Sequence, residues 1–297
     1  MKPLIVGVDI GGSHITAAII DLDKQCVVKK SRVRNHVDTF GEKNAILTCW
    51  GETIKSLIDF FPEHEIALCI AMPGPFDYAN GVSLIKGMNK YEALYGVEVK
   101  KFLCEYLQLN MENIFFWNDA YAFLKGELFA GSARGYERAL GITLGTGLGS
   151  AVGIYGEVQD ANLGVSTFKQ GIAEDYISTR WFIKRYHELS GKNAKDTKEL
   201  AARYNMDHHA TILFNEFARN LADFLTPVIL QYHPEVVIIG GNIARAHSLF
   251  LSKSQVILNR RGIHAILKIT SLWEDAAMIG VGCSELKPTI PTSYTKT

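Results

Sequence analysis

The chain has 297 residues, of which 47% are hydrophobic and 21% are charged, a composition typical of a globular protein with a sizeable core. Lysine plus arginine total 31, as do aspartate plus glutamate, so the formal net charge is zero. A neutral chain gives no electrostatic reason to bind nucleic acid or an anionic membrane. The length is sufficient for two domains or for one large domain.

The sequence shows neither a membrane span nor a signal-peptide pattern. No apolar run is long enough to cross a bilayer, and the N-terminus leads directly into a strand pattern. The cysteines are scattered and form no Cys-x-x-Cys pair: Cys26, Cys49, Cys69, Cys104 and Cys283. Such spacing is typical of reduced thiols in a cytoplasmic protein, which is the location we expect.

The first predicted element is a β-hairpin. Apolar runs over residues 4–8 and 15–20 predict two strands. Because a glycine pair separates the two runs, they are expected to pair as a hairpin. The residues between them are Asp9, Ile10, Gly11, Gly12, Ser13 and His14. Backbone N–H groups in such a turn can bind an anion, and Asp9 could hold Mg²⁺ directly or through water. The alternative is an ordinary tight hairpin without a ligand.

The remainder of the first half predicts an α/β domain. The expected elements are a strand over 25–34, a helix over 42–60, a strand over 65–71, a turn over 72–75, a helix over 100–107 and a strand over 114–117. Asn118 and Asp119 follow this last strand, at the end where α/β proteins bind ligands. Both residue types also cap helices well, and a helix is predicted over 120–130. The two roles are compatible, because one residue can cap while the other reaches a ligand.

Two further glycine-rich turns follow predicted strands. Strands over 139–144 and 151–155 flank a turn over 145–150, and a strand over 236–239 ends at Gly240 and Gly241. The Gly-x-Gly-x-Gly spacing and the strand after it differ from the dinucleotide fingerprint. Two glycine hairpins, each at the start of a domain half, indicate an internal duplication. All three turns suit the binding of nucleotide phosphates.

Between and after these turns the pattern is weaker. We predict loops over 159–168 and 191–198, helices over 174–188, 213–232 and 276–285, a strand over 266–269, and a loosely ordered tail from residue 287. Pro227 is expected to kink its helix. His208 and His209 form the one histidine pair in the sequence, and we expect them on a solvated surface.

Taken together, these motifs resemble the ROK family of sugar kinases and repressors, within the actin-like ATPase superfamily. The matching segments run in the family's order over nearly the whole chain: Asp9–Ser13, Pro73-Gly74, Asn118–Ala120 with Glu127 and Gly131, Gly145–Gly149, and Pro234–Gly241. The resemblance implies an α/β fold of two ribonuclease-H-like domains with an inter-domain cleft. The expected boundaries are residues 1–117 plus about 274–297 for the N-terminal domain and 118–273 for the larger C-terminal domain.

The resemblance also implies an ATP-dependent carbohydrate kinase. Such an enzyme transfers the γ-phosphoryl group to a sugar hydroxyl, usually O6 of a hexose or N-acetylhexosamine, with ATP and Mg²⁺ as cofactors. The expected partners are therefore a small sugar and ATP, not nucleic acid or a membrane. Family members are commonly dimers or tetramers, so a homodimer is one candidate assembly.

The family pattern assigns roles to individual residues. Asp119 is the expected general base, Asn118 and Asn89 contact the sugar, and Gly74 belongs to the substrate-binding set. A Lys90-Tyr91 pair replaces the tryptophan that often follows the family's asparagine. Phosphate and nucleotide binding falls to Gly11, Gly12 and Ser13 at the γ-phosphate, Gly145, Thr146 and Gly147 at the β/γ region, Gly240 and Gly241 at the adenosine, and Asp9 at the hydrated Mg²⁺.

The chain departs from the family in one segment. Many ROK kinases have a Gly-Glu-x-Gly-His motif that contacts the sugar, followed by a cysteine-rich zinc loop. In residues 164–178 the glutamate, the histidine and the zinc cysteines are missing, and only Glu174 and Tyr176 resemble the far end of the segment. A zinc site needs about four such ligands, so we predict no zinc. The change also removes two sugar contacts.

This departure keeps a second function open, a catalytically weak ROK-type sugar sensor or regulator. Family repressors carry an N-terminal helix-turn-helix, and the first predicted strand begins at about residue 4, so we expect no DNA-binding domain. A general ATPase module of the actin type is a further alternative, which the length of the chain disfavours.

Overall fold

The computed structural model describes residues 3–88 and 90–284. The chain divides into two compact units, Met1–Trp117 with Met278–Thr297, and Asn118–Ala277. No helix in the described part of the chain is both long and apolar enough to cross a membrane. Some of the predictions made above concern residues outside the described part of the chain. These residues are Asn89, Glu285 and the tail from residue 287.

The first unit is built on a mixed sheet with the strand order β3-β2-β1-β5-β8, in which β4 also pairs with β2. Strand β1 pairs antiparallel with β2 and parallel with β5. The elements are β1 (Leu4–Ile10), β2 (His14–Asp21), β3 (Cys26–Val27), β4 (Val33–His36), α1 (Lys43–Ile58), β5 (Ile66–Met72), β6 (Phe76–Asp77), β7 (Val82–Ser83), α2 (Val99–Leu107) and β8 (Ile114–Asn118).

The core of this unit explains why the apolar runs form strands and helices. Helix α1 buries Ile46, Trp50 and Ile54, spaced four residues apart on one face, in the same apolar cluster as the strands. Every residue of β5 is buried, as expected for a central strand covered on both faces. At β1 the backbone packs closely on the last helix, because a Cβ at Gly7 would lie 2.6 Å from the Met278 carbonyl oxygen.

The second unit contains a five-stranded sheet with the order β11-β10-β9-β14-β15. Strands β9 and β10 form an antiparallel hairpin, and β9 pairs parallel with β14. The elements are α3 (Asp119–Ala130), β9 (Arg138–Leu144), β10 (Leu148–Ile154), β11 (Glu157–Asp160), β12 (Thr167–Phe168), β13 (Gly171–Ile172), α4 (Thr179–Ser190), α5 (Thr197–Ala202), α6 (His208–Tyr232), β14 (Val236–Gly240), α7 (Leu251–Arg260) and β15 (Ile266–Ile269). The last helix, α8 (Asp275–Ser284), starts at the end of this unit, and its residues from Met278 onward belong to the first unit.

A fully buried carboxylate connects three segments of this unit. Glu127 on α3 accepts hydrogen bonds from the Thr270 hydroxyl, the Leu272 N–H and the Ser132 N–H. Burying a carboxylate is costly unless donors satisfy it, and here both of its oxygens have partners. The side chain therefore ties the end of α3 to the segment that follows β15.

Several predicted boundaries were wrong because tertiary contacts override short-range patterns. The single strand predicted over 25–34 is β3, a 3-10 turn at Lys29–Ser31, and β4. The turn predicted over 145–150 is shorter, since β10 begins at Leu148. Helix α1 ends at Ile58, two residues before the predicted limit.

The region after β10 differs most from the sequence prediction. The loop predicted over 159–168 contains the end of β11, a 3-10 turn and β12. The helix predicted from residue 174 begins only at Thr179, because Ser178 caps it by accepting the N–H of Trp181. The loop predicted over 191–198 ends in α5, which Asp196 caps. His208 is exposed as predicted, and the His209 side chain is 42% exposed, with its Nδ1 3.2 Å from Oδ1 of Asp207, the cap of α6.

Candidate functional site

In the first unit, the predicted phosphate turn is a tight β-hairpin. The Gly11 N–H donates to the His14 carbonyl oxygen at 2.9 Å and closes the turn between β1 and β2. A Cβ at Gly12 would meet no atom within 4 Å, so the turn is exposed on that side and leaves room for a ligand. Ser13 lies at the tip, with its Oγ 2.8 Å from Nδ1 of His14.

Asp9 and Gly74 lie at neighbouring strand ends in the same unit. Asp9 is half-buried near the carboxyl end of β1, in register with Ala71 on β5. Gly74 follows three residues after Ala71, in the connection between β5 and β6. Since carboxyl ends of parallel strands meet at one edge of a sheet, these residues share the edge where α/β proteins bind ligands.

In the second unit, Asn118 and Asp119 begin helix α3. The Oδ1 atom of Asn118 accepts the N–H groups of Ala120 and Tyr121 at 2.8 and 3.1 Å, so this residue is the N-cap. Asp119 is the first helical residue, half-buried, and its Oδ1 lies 2.9 Å from the Ala120 N–H.

The second glycine turn contains Gly145, Thr146 and Gly147. The Gly145 N–H donates to the Gly147 carbonyl at 3.0 Å, and the Gly145 carbonyl accepts the N–H of Thr179 at the start of α4. A Cβ at Gly145 would meet nothing within 4 Å. The turn is therefore fixed by its own backbone and by α4, while its surface stays accessible to a ligand.

The sequence did not predict a role for Glu174 in this turn. Its Oε2 accepts the N–H of Leu148 at 3.0 Å, and its other oxygen pairs with Arg180. A Cβ at Gly147 would lie 2.5 Å from Glu174 Oε2, so only glycine allows the carboxylate to approach this closely. The contact spans 26 residues, and no local sequence pattern reveals it.

The third glycine turn lies beside the second. Strand β14 pairs with β9 so that Gly240 is opposite Thr143. A Cβ at Gly240 would lie 2.5 Å from the Phe123 ring, and one at Gly241, with φ of +83°, would lie 2.4 Å from the Leu144 carbonyl oxygen. Since Gly145 follows Leu144, the structure brings Gly145 and Gly241 to the same end of the sheet.

The donor sets in the two units suit anions better than a tightly held transition metal. Among the residues the structure describes, no three histidine, cysteine, aspartate or glutamate side chains gather as a metal site. The glycine turns instead offer backbone N–H groups and empty space at Gly12 and Gly145, which fits phosphate oxygens. Asp9 offers the carboxylate chemistry that hydrated Mg²⁺ prefers.

A family model described as the ROK family matches residues 5–168 and 169–283. The chain belongs to the ROK family. The sequence-based recognition of the family is thereby confirmed. The model covers both units and all three glycine turns, including the segment from which the zinc cysteines are missing.

The relatives of this chain include sugar kinases. The chain is 28% identical to a glucokinase of Thermotoga maritima over 278 residues, which cover 82% of this chain and 84% of the relative. It is 23% identical to an N-acetylgalactosamine kinase of a Shewanella species, over 84% of this chain and 85% of the relative.

The fold is that of solved ROK kinases. A ROK glucokinase from Streptomyces griseus, in complex with glucose and AMPPNP, aligns with a TM-score of 0.75 at 20% identity. The alignment covers 94% of this chain and 98% of that structure. The predicted α/β fold of the actin-like ATPase type is confirmed.

Proposed function

We propose that this ROK protein phosphorylates a sugar hydroxyl with the γ-phosphoryl group of ATP, on O6 of a hexose or N-acetylhexosamine. The observation that carries the proposal is the position of Asp119, a half-buried carboxylate at the amino end of α3. A carboxylate there can accept the proton of an attacking hydroxyl. The sugar-kinase activities of the relatives support the same reaction class.

In this proposal Asp119 is the general base and Asn118 orients a neighbouring sugar hydroxyl. Asn118 already fixes the first turn of α3 through its Oδ1, so the geometry of the base depends on the cap. Gly74 and Asn89 complete the proposed sugar contacts. Phosphoryl transfer depends chiefly on positioning and charge neutralisation, which such fixed groups supply.

The glycine turns are the proposed phosphate sites. Gly11, Gly12 and Ser13 would hold the γ-phosphate, Gly145, Thr146 and Gly147 the β/γ region, and Gly240 and Gly241 would flank the adenosine. The Gly11 and Gly145 N–H groups close their own turns, so the other N–H groups of these turns would neutralise charge, on a backbone that the hairpin and helix contacts already fix. Asp9 would hold hydrated Mg²⁺, which when bound neutralises charge on the phosphate oxygens.

The test is a screen of hexoses and N-acetylhexosamines with Mg-ATP in a coupled assay for ADP. We expect at least one sugar to stimulate ADP formation. The Asp119→Asn variant should lose about 10²- to 10⁴-fold in kcat, the scale of general-base catalysis. Asp160→Asn, at the end of β11, is the control and should keep full activity. No stimulation by any sugar, or full activity in Asp119→Asn, would reject the proposal.

A second candidate is a sugar sensor of low catalytic activity. The observation that favours it is the segment 164–178, which lacks the glutamate and histidine that contact sugar in many ROK kinases. Isothermal titration calorimetry would distinguish the two functions. Sugar binding without turnover would favour the sensor, whereas turnover dependent on Asp119 would exclude it.

A further inference from the structure

Tyr91 makes a long-range hydrogen bond to the first glycine turn. Its side chain is fully buried, and its hydroxyl donates to the Gly11 carbonyl oxygen at 2.7 Å, across 80 residues of sequence. The ring packs edge-to-face on Trp50, with 5.4 Å between the centroids. The hydroxyl is thus held at a defined point beneath the turn.

The bond fixes the orientation of a peptide group. The Gly11 carbonyl and the Gly12 N–H belong to one planar trans peptide, so they point in opposite directions. Because the carbonyl is turned toward buried Tyr91, the Gly12 N–H points the opposite way, and Gly12 itself is exposed, with open space around its Cβ position. Two glycines in sequence are otherwise free to rotate this peptide.

Tyr91 also joins a third segment to the turn. Its backbone N–H donates to the Thr39 carbonyl at 2.7 Å, and the Val37 N–H donates to the Ser13 carbonyl at 2.9 Å. Tyr91 itself has a left-handed φ of 54°. The turn at 11–13, the segment 37–39 and Tyr91 therefore form a closed series of hydrogen bonds.

The next residue, Glu92, fixes the loop that precedes it. Its carboxylate accepts the N–H groups of Gly87 and Met88 at 2.9 and 2.6 Å. These residues lie directly before Asn89, which the family resemblance assigns to the sugar. Tyr91 and Glu92 thus connect the proposed sugar loop to the proposed phosphate turn, two features separated widely in sequence.

The hydroxyl remains a donor throughout the range in which the protein would act. Burial raises the pKa of Tyr91 well above its usual range, and the nearby Cys49 and Asp9 add to the rise. The neutral form therefore persists at physiological pH and above it. The hydrogen bond to Gly11 does not depend on a titration in that range.

We propose that Tyr91 is a positioning residue that couples sugar binding to nucleotide binding. When a sugar contacts the segment that Glu92 holds, Gly87 and Met88, Tyr91 keeps the Gly11 peptide oriented with its Gly12 N–H toward the phosphate. When a nucleotide fixes that peptide, the loop is in turn held for the sugar, because such coupling is reciprocal. The inference rests on the proposed function, since it presumes that the chain binds both ligands.

The test is calorimetric titration with Mg-AMPPNP, with and without saturating glucose or N-acetylglucosamine. In the wild-type chain we expect at least one sugar to strengthen nucleotide binding about 5-fold or more, the lower end of typical coupling. Tyr91→Phe removes one oxygen and keeps the ring against Trp50. It should abolish most of that enhancement and weaken AMPPNP binding in the absence of sugar.

Two further variants separate coupling from a loss of stability. Tyr186→Phe removes the hydroxyl of another fully buried tyrosine, in the second unit, and should leave the enhancement unchanged. Glu92→Gln removes one of the two acceptor oxygens and should reduce the enhancement while leaving AMPPNP affinity without sugar unchanged.

The outcomes distinguish this inference from the proposed function. If wild-type protein binds AMPPNP but neither sugar changes the affinity, or if Tyr91→Phe keeps the enhancement, the coupling role of Tyr91 is overturned. If wild-type protein binds no AMPPNP at all, the proposed kinase function fails first and the coupling fails with it.

Discussion

The carboxylate of Glu174 accepts the backbone N–H of Leu148 at 3.0 Å, at the point where the second glycine turn enters β10. Gly147 has no side chain, and this is what lets the carboxylate come so close. The turn is thus shaped by a side chain from a distant segment as well as by its own glycines. A proposed phosphate site of this kind should respond to a change in Glu174.

Replacing Glu174 with alanine should weaken both the fold and nucleotide binding. The Leu148 N–H would lose its acceptor, at a cost of about 1–3 kcal/mol in the free energy of unfolding. We expect the KM for ATP to rise more than the KM for sugar, because the turn is the proposed β/γ-phosphate site. Urea unfolding and steady-state kinetics measure the two effects.

Arg180→Ala is the matched control for that experiment. It removes the ion pair to Glu174 but keeps the hydrogen bond to Leu148. Because Arg180 is largely exposed, its loss should change stability by less than about 1 kcal/mol. Equal effects of the two substitutions would argue against a role for Glu174 in shaping the turn.

Replacing Gly241 with alanine should destabilise the second unit strongly. The substitution combines a left-handed φ of +83° with a Cβ placed 2.4 Å from the Leu144 carbonyl. Gly135→Ala is the control, since Gly135 has a φ of +86° but open space around its Cβ position. The control should lose about 1–2 kcal/mol from backbone strain alone, and Gly241→Ala should lose more. Chemical denaturation of both variants measures the difference, and similar losses would contradict the predicted clash.

The stability of the second unit should depend on pH through Asp207. The hydrogen bond from the Tyr186 hydroxyl, followed by bonds from His209, lowers the pKa of Asp207 to about 2. A lowered carboxyl pKa contributes stability that is present above the ordinary value near 3.8 and is lost as pH falls toward 2. Tyr186→Phe should therefore be less stable than wild type at pH 6, and the gap should narrow between pH 4 and pH 2.

The difference in stability between wild type and Tyr186→Phe is measured by thermal unfolding at several pH values from 6 to 2. Tyr204→Phe is the control. Tyr204 is a half-buried tyrosine in the same unit whose hydroxyl accepts from Lys253 rather than bonding a carboxylate. Its substitution should shift Tm by the same amount at each pH. A stability gap for Tyr186→Phe that does not change with pH would exclude the linkage to Asp207.

Zinc chelators should leave the stability of the chain unchanged. The segment after β12 is held by side chains: Lys169 donates to Asn220 on α6, and Phe168 packs against the rings of Tyr176 and Phe224. Lys169 also lies over the ring of Tyr176 at 5.2 Å. We expect Tm to be the same with and without a strong zinc chelator, whereas Lys169→Ala should lower it. A fall in Tm on chelation would show that a bound zinc has been missed.

Long apolar runs predicted the central strands, because burial on both faces leaves a signal in consecutive residues. Strands β5 and β14, every residue of which is buried, were predicted within one residue at each end. Helix α7 was not predicted, since it buries few residues. A hydrogen bond helps to hold helix α7 on α6: the Ser254 hydroxyl donates to the Ala218 carbonyl.

In the candidate site too, features visible in consecutive residues were predicted, and features that depend on tertiary contacts were not. Glycines and carboxylates that follow an apolar run are visible in a few consecutive residues. The three glycine turns and Asp119 could therefore be proposed from the sequence. Glu174 and Tyr91 act through hydrogen bonds that span 26 and 80 residues, and such contacts exist only once the fold has formed. The sequence therefore proposed the candidate ligand-binding groups, and the structure added the side chains that hold the turns in position.

The first unit is assembled from both ends of the chain, and its last helix packs on Gly7 in the first strand. A protein emerges from the ribosome N-terminus first, so β1 lacks its contact with this helix until residues 275–284 have been synthesised. The second unit is continuous in sequence and can finish folding earlier. A premature stop near residue 277 would therefore damage the N-terminal unit, which was synthesised first, more than the unit beside the truncation.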